Sequence, residues 1–410
     1  MMFLEFFIWG AWFVTMGTYL NAIKFDGTEI ANAYTTTAWG AIISPVLVGM
    51  IADRFFNAEK VMGIMHLLGA VLIYYASTIK DPLLFFIVLL AYAVCYMPTI
   101  ALANAICFNQ MSDTTREFPP IRVLGTIGWI VAGVIVGVLK LEPTAYPLQI
   151  AAAVSIVLGI FSFMLPKTPP QAAGEKVTLS KVLGFDALKL MKDRSFAVFA
   201  IGSLLICIPL SFYYGFANLF FNESGMKNAA AKMTMGQGSE VFFLLLMPVF
   251  FRLLGIKKML LTGMLFWAGR YLLFAFGNNG PLVFMFYLGI LFHGVCYDFF
   301  FVTGQIYVDK RAPEAIRSSA QGFIAWITYG VGMVIGTWAA GFVVQYYQVM
   351  SGTEITGHLW RNIWLTPAIM AIVVIILFAL LFKEPKNGEK EPVDATMRGI
   401  TEASESEAPV

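Results

Sequence analysis

The chain has 410 residues, of which 59% are hydrophobic and only 13% charged, with a mean hydropathy of +0.76 and a formal net charge of +2. That balance is too apolar and too poor in charge for a soluble globular protein, and it offers no basic stripe for a nucleic acid, so an integral membrane protein is required. Apolar runs of about 20 residues, each long enough to cross a hydrocarbon core of about 30 Å, recur at 3–23, 31–53, 61–78, 83–108, 120–140, 147–165, 195–221, 235–254, 259–277, 281–308, 319–346 and 360–383. The fold class expected is therefore an all-α membrane protein with twelve transmembrane helices.

The first run begins at Phe3 without a basic flank and continues for a full span, so it is expected to stay in the mature protein, the abrupt start implying a short basic leader ahead of it. Glu5 in this span and His66 in the third read as interfacial or structural. With the N-terminus inside, the outside loops hold only Lys24, Lys80, Lys140, Lys227, Lys232 and Arg361 of the 27 basic residues, which predicts that both termini face the cytoplasm. The second span closes with Gly49-Met50-Ile51-Ala52-Asp53-Arg54, where Gly49 permits close helix approach while Asp53 and Arg54 are suited to cap and pair with a neighbouring span in one conformation.

In the fifth span the residue to explain is Arg122. A central arginine costs roughly 2.5–3.5 kcal/mol on insertion scales and cannot shed its proton, so it must face protein or a wet cavity and find an acidic partner elsewhere in the chain. Thr126 and Trp129 lie four and seven residues on, giving a cation, a hydroxyl and a flat aromatic surface on one helical stripe, suited to a planar polar solute. After Leu165, residues 166–194 form the long charged segment between two halves, and Leu179, Val182, Leu183, Leu188 and Met191 define the apolar face of an amphipathic helix within it. The halves are then 1–165 and 195–385, each a six-helix bundle, with 386–410 a disordered cytoplasmic tail.

Polar residues recur at membrane depth in the second half. Ser211, Tyr214 and Asn218 step along one side of the seventh span, Gln237 and Glu240 share a face of the eighth, and His293, Tyr297 and Asp298 sit close together in the tenth. Arg270 in the ninth has no role beyond pairing with a neighbour. One fixed cation with two carboxylates is the composition of a proton-coupled carrier: Arg122 neutralises one acid and the other is left to exchange a proton. Asp298 is the preferred proton-linked group and Glu240 the preferred substrate ligand, with the reverse assignment open. Cys95, Cys107, Cys207 and Cys296 all fall inside spans without CxxC spacing and read as free buried thiols. No metal or cofactor is expected, the proton being the coupling ion.

The halves look related in parallel. Pro45-Val46, Val94-Cys95-Tyr96 and Trp129-Ile130-x-x-Gly133 recur as Pro248-Val249, Val295-Cys296-Tyr297 and Trp326-Ile327-x-x-Gly330, in order and about 200 residues on, as in transporters whose halves rock about a midplane site. With the G-x-x-x-D-R at Gly49–Arg54, the chain resembles the major facilitator superfamily along its whole length, which implies two six-helix bundles in parallel pseudo-repeat and a gating role for Gly49, Asp53 and Arg54.

More specifically, FPPIR-x-x-GTIG at Phe118–Gly128, KFDG at Lys24–Gly27, Gln237-x-x-Glu240, YDFF at Tyr297–Phe300 and AIR-x-SAQG at Ala315–Gly322 resemble the bacterial nucleoside:proton symporters of the NupG/XapB type. The resemblance implies proton-driven uptake of nucleosides across a bacterial inner membrane by a monomer. It also implies substrate contacts at Arg122, Thr126, Gln237 and Glu240 and a coupling aspartate at Asp298. Where the family is expected to have a phenylalanine, a tyrosine and a phenylalanine, this chain has Trp129, His293 and Tyr297; its seventh span offers Ser211, Tyr214 and Asn218 where a glutamine and an asparagine are expected. A facilitator for sugars or small organic anions is the alternative. An enzyme is not expected, since HExxH, GxSxG and P-loop patterns are lacking.

Overall fold

The computed structural model describes residues 1–47, 56–112, 114–169, 185–313 and 316–383. Within them helix occupies every one of the twelve expected spans. The first is Met2–Trp12 and Met16–Ala22, followed by Gly27–Leu47, Ala58–Ala76, Pro82–Asn109, Thr114–Val138, Tyr146–Ser162 and Arg194–Glu223. Met235–Phe276 carries the eighth and ninth together, Val283–Arg311 the tenth, 317–346 the eleventh and Trp360–Leu381 the twelfth. Among the described residues, nine helical stretches are long and apolar enough to cross a membrane, Ala229–Phe276 with its kink counting as one. The Gly49, Asp53 and Arg54 motif lies outside the described residues, as do Leu179, Val182, Leu183 and the tail from 384 onward.

Local chemistry explains several helix starts. Asp26 accepts from the backbone N–H groups of Thr28 and Glu29, while Glu29 reaches back to the Asp26 N–H at 2.9 Å, a reciprocal capping box that opens the second span. Asp81 and Asp193 cap the fourth and seventh spans through Leu84 and Phe196. Between the eighth and ninth spans the chain reverses at Gly255, whose φ of +68° favours glycine. Ser239 and Phe250 meet Gly294 and Phe299 in parallel, whereas Gly263 and Phe274 meet Phe300 and Gly289 antiparallel. The tenth and eleventh spans each relax into π-helix, at Asp298–Val302 and Trp326–Gly332, local widenings that accompany functional sites in many helices.

Two features depart from the sequence reading. Gln348–Ser351 and Glu354–His358 pair as a short antiparallel hairpin between the last two spans, turning at Gly352. In the linker, Phe185–Lys192 is a 3-10 helix in which Ala187 and Leu190 are buried and Leu188 is half exposed, because three residues per turn rotates Leu188 off the apolar face.

The halves meet tightly at the end of the bundle that holds the 23–27, 139–145, 224–228 and 347–359 connections. A Cβ at Gly341 would stand 2.3 Å from the Ala31 Cβ, and one at Gly17 would stand 2.5 Å from the Gly215 carbonyl oxygen, so backbone approaches backbone there. Thr18 donates to Asn218 Oδ1 at 2.6 Å, the Trp338 indole to Asn32 at 3.0 Å, and Gln345 to Asp26 at 3.2 Å. Glu142 accepts from the Ala230 N–H, with Asn218 and Asn222 beside it. Among the described residues, these hydrogen bonds between halves all lie at that one end.

Candidate functional site

Below the closed end a cavity opens between the halves. Gly10, Val14, Trp129 and Gly133 face it from the first half, and Tyr213, Tyr214, Met233 and Gln237 from the second. Its floor on the first-half side is aromatic: Trp129 packs edge-on against Trp9 with ring centroids 5.5 Å apart, and Phe13 bridges Trp129 to Tyr214. The close approach of Gly10 to the Trp129 backbone is what brings the indole to this wall.

One turn along the same helix from Trp129 are Thr126, half-buried, and then Arg122, whose guanidinium sits 4.0 Å over the Phe6 ring. A cation over an aromatic face is attracted by the ring quadrupole but, unlike one paired with a carboxylate, is not neutralised by it. Among the described residues Arg122 has no carboxylate within 4.0 Å, and its electrostatic neighbours are Tyr297, Glu240 and Tyr96. Glu240, the more solvated of the two acids with 28% of its side chain exposed, is one helical turn beyond Gln237 and so continues the polar face that begins in the cavity. Asp298 lies behind it at the start of the π-helix, 1% exposed, and among the described residues both of its carboxylate oxygens lack a hydrogen-bond partner. Glu240 is its electrostatic neighbour, and Arg122 is not.

His293 is buried next to Glu240, with Nε2 3.9 Å from Oε2, and its ring stacks on Tyr213 at 5.5 Å. Tyr297 follows one turn later and hydrogen-bonds Tyr329 across to the eleventh span at 2.8 Å. Arg122, Thr126, Trp129, Tyr214, Gln237, Glu240, His293, Tyr297 and Asp298 thus fall on or around one region between the halves.

Two candidates fall elsewhere. Ser211 is buried inside the second half, donating to its own i−4 carbonyl on Cys207 at 2.9 Å and packed under Gly336, so its hydroxyl is consumed locally. Asn218 is committed at the closed end to Thr18 and the Glu142 cluster. Phe6, Tyr213, Arg270 and Tyr329 at the site are additions. The aromatics among them read as ordinary core residues in a chain with 37 phenylalanines and 16 tyrosines. Arg270 was conspicuous in sequence, but its contact with His293 joins residues 23 apart on two helices. Among the described residues no group of three or more His, Cys, Asp or Glu is arranged to hold a metal ion, and the four cysteines are free.

The family model for nucleoside H+ symporters matches residues 1–387. The chain belongs to the nucleoside H+ symporter family. The Escherichia coli (strain K12) protein YegT is 44% identical over 400 residues, covering 94% of this chain and 93% of its own length. Xanthosine permease of the same organism is 33% identical over 406 residues, with 95% and 96% covered. The crystal structure of nucleoside transporter NupG, 32% identical, superposes with a TM-score of 0.85 over 94% of this chain and 98% of that one. The POT family transporter PepTSo, at 13% identity and a TM-score of 0.68, shares the fold alone. This nucleoside H+ symporter therefore has the major facilitator fold, and its function is proton-coupled nucleoside transport.

Proposed function

We propose that the chain imports nucleosides across a bacterial inner membrane by alternating access, as a monomer with both termini in the cytoplasm and halves at 1–165 and 195–385 rocking about the cavity. The observation that carries this reading is the placement of charge. A permanent cation on the first half faces Glu240 on the second, while Asp298 behind it has, among the described residues, neither cation nor hydrogen-bond donor.

A nucleoside has a flat base, which the Trp129 and Tyr214 faces are suited to stack against, and sugar hydroxyls, which Gln237 and Glu240 are suited to bind. Arg122 and Thr126 supply donors for the base edge. The substrate carries no charge, so accumulation needs an ion. A buried carboxylate anion without a partner is expensive, which makes the proton the natural companion of Asp298. In the conformation described here the halves are sealed at the end assigned to the outside, which is the arrangement of a carrier ready to exchange solute with the cytoplasm. Return to the outward state requires the Thr18–Asn218 and Glu142–Ala230 contacts to part and the opposite ends to meet. Gly49, Asp53 and Arg54 are assigned to that second closure by the family resemblance.

The test is uptake in proteoliposomes with an imposed proton gradient, using labelled uridine and xanthosine with sugars and organic acids as competitors. The expected result is gradient-driven accumulation of at least one nucleoside, and Asp298→Asn should abolish accumulation while leaving nucleoside exchange measurable. Competition by a sugar or an organic acid alone would remove the nucleoside reading, and uphill uptake by Asp298→Asn would remove Asp298 as the coupling group.

A further inference from the structure

Arg270 in the ninth span is 0% exposed, at membrane depth, and takes no part in the mechanism above. Its guanidinium lies 3.4 Å over the face of Tyr213, and Nη1 is 3.1 Å from His293 Nδ1. Among the described residues Nε and Nη2 have no hydrogen-bond partner. Among the described residues, no carboxylate pairs with it. A cation this deep, held by the Tyr213 face, the more distant Phe274 ring at 5.7 Å and one imidazole nitrogen, is costly to keep and invites a reason beyond packing.

The chemistry of the contact supplies one. A guanidinium has only donors and stays charged, so the nitrogen it meets at hydrogen-bonding distance must offer a lone pair. His293 Nδ1 is therefore the acceptor, and the ring proton belongs on Nε2, the nitrogen that faces Glu240 Oε2 at 3.9 Å. Protonating His293 would break the Arg270 contact and set two cations 3.1 Å apart. The other groups around the imidazole do not alter this. Tyr213 and Tyr214 come from the seventh span, Tyr297 from its own helix and Glu240 from the eighth, and only Glu240 carries a charge.

We propose that Arg270 is a positioning residue that holds His293 in one neutral tautomer, directing its Nε2–H toward Glu240 and keeping the imidazole out of proton movement. The inference rests on the transport reading for Glu240's role at the cavity, but the tautomer itself does not depend on substrate. A histidine on the same helix as the proposed proton carrier Asp298 would otherwise be the first group to compete for the proton at physiological pH. Arg270 removes that competitor and leaves its remaining N–H aimed toward Glu240 across 3.9 Å.

The direct test is nitrogen NMR on the full-length protein in nanodiscs with labelled histidine. The chain has only three histidines, and His293→Gln assigns the signal of interest. The expected spectrum has His293 neutral, protonated on Nε2, unchanged from pH 5 to 8. An imidazolium, or a proton on Nδ1, at pH 7 overturns the proposal. In parallel, uridine and xanthosine binding is measured as a function of pH for three proteins. Arg270→Met should weaken binding about tenfold and add an acid-side loss absent from the wild type, as His293 charges and pairs with Glu240. Arg270→Lys, which also donates and cannot accept, should restore the wild-type profile. A purely structural arginine predicts lower stability with the wild-type pH profile, and that outcome would also overturn the proposal. Failure of the wild type to bind any nucleoside would sink the transport reading while leaving the tautomer measurement standing.

Discussion

Each half of the molecule buries a histidine beside a glutamate, and the two pairs are built in opposite ways. In the first half, Glu5 and His66 are both essentially unexposed. The Glu5 carboxylate accepts from Thr99 at 2.7 Å and meets His66 Nε2 at 2.9 Å, and the Tyr96 hydroxyl donates to the Glu5 carbonyl. Every oxygen of that carboxylate is occupied. In the second half, among the described residues, His293 meets Glu240 only at 3.9 Å, Arg270 leaves two nitrogens unpartnered and Asp298 leaves two oxygens unpartnered. A satisfied buried network specifies one packing and has nothing left to offer a ligand, whereas an unsatisfied one holds its free energy in reserve for whatever completes it. The first pair pins three helices together, and the second is the one proposed above as the working end.

The largest effects should come from removing charge at the working end. Arg122→Ala is expected to lower nucleoside affinity by about 100-fold, in line with 2–5 kcal/mol for truncating a buried charge partner, as read by binding in detergent; unchanged affinity would take Arg122 out of the site. Glu5→Leu attacks the other pair and should cost about 3–5 kcal/mol of stability by stranding His66, measured by thermal unfolding, with nucleoside affinity of the folded fraction unaltered. A shift in the proton dependence of uptake in that variant would erase the contrast between the two clusters. Trp129→Phe keeps a smaller ring against Trp9 and is expected to weaken binding by about threefold, less than 1 kcal/mol, seen in the same binding measurement. The smallest effect concerns the closed end. Burial at the Ala230 contact raises the Glu142 carboxyl above its ordinary value despite the hydrogen bonds that oppose it. Its acid form is thus held more tightly in the closed conformation than in water, and acidification through the window just above the ordinary carboxylate range favours closure, a preference lost as pH rises past the raised value. Distances between spin labels across that end should report this, and Glu142→Gln should flatten the dependence.

How far the sequence was readable follows from what each feature depends on. Helix existence depends on local apolarity, so all twelve segments could be marked, and Asp26, Asp81 and Asp193 could serve as helix starts because a cap needs only its next three residues. Arg122, Glu240 and Asp298 stood out because an ionisable group in an oily run is conspicuous wherever it points. Direction was not readable. Ser211 and Tyr214 are three residues apart, yet one is consumed by its own helix and the other faces the cavity. Asn218, polar and on the same stripe, was claimed by Thr18 of the opposite half, a partner 200 residues away in the chain.

By itself, then, the sequence determined that this chain lives in a bilayer, that it is two related bundles, which family it joins, and which few side chains are too costly to be there without cause. The tertiary structure alone decided how those side chains are shared out: which acid stands opposite the arginine, which is left without a partner, and why a second arginine spends its charge on a histidine. The physical reason is that burial of a charge is a local cost visible in one helix, whereas its compensation is a distance between helices, and distances between helices exist only once the bundle has closed.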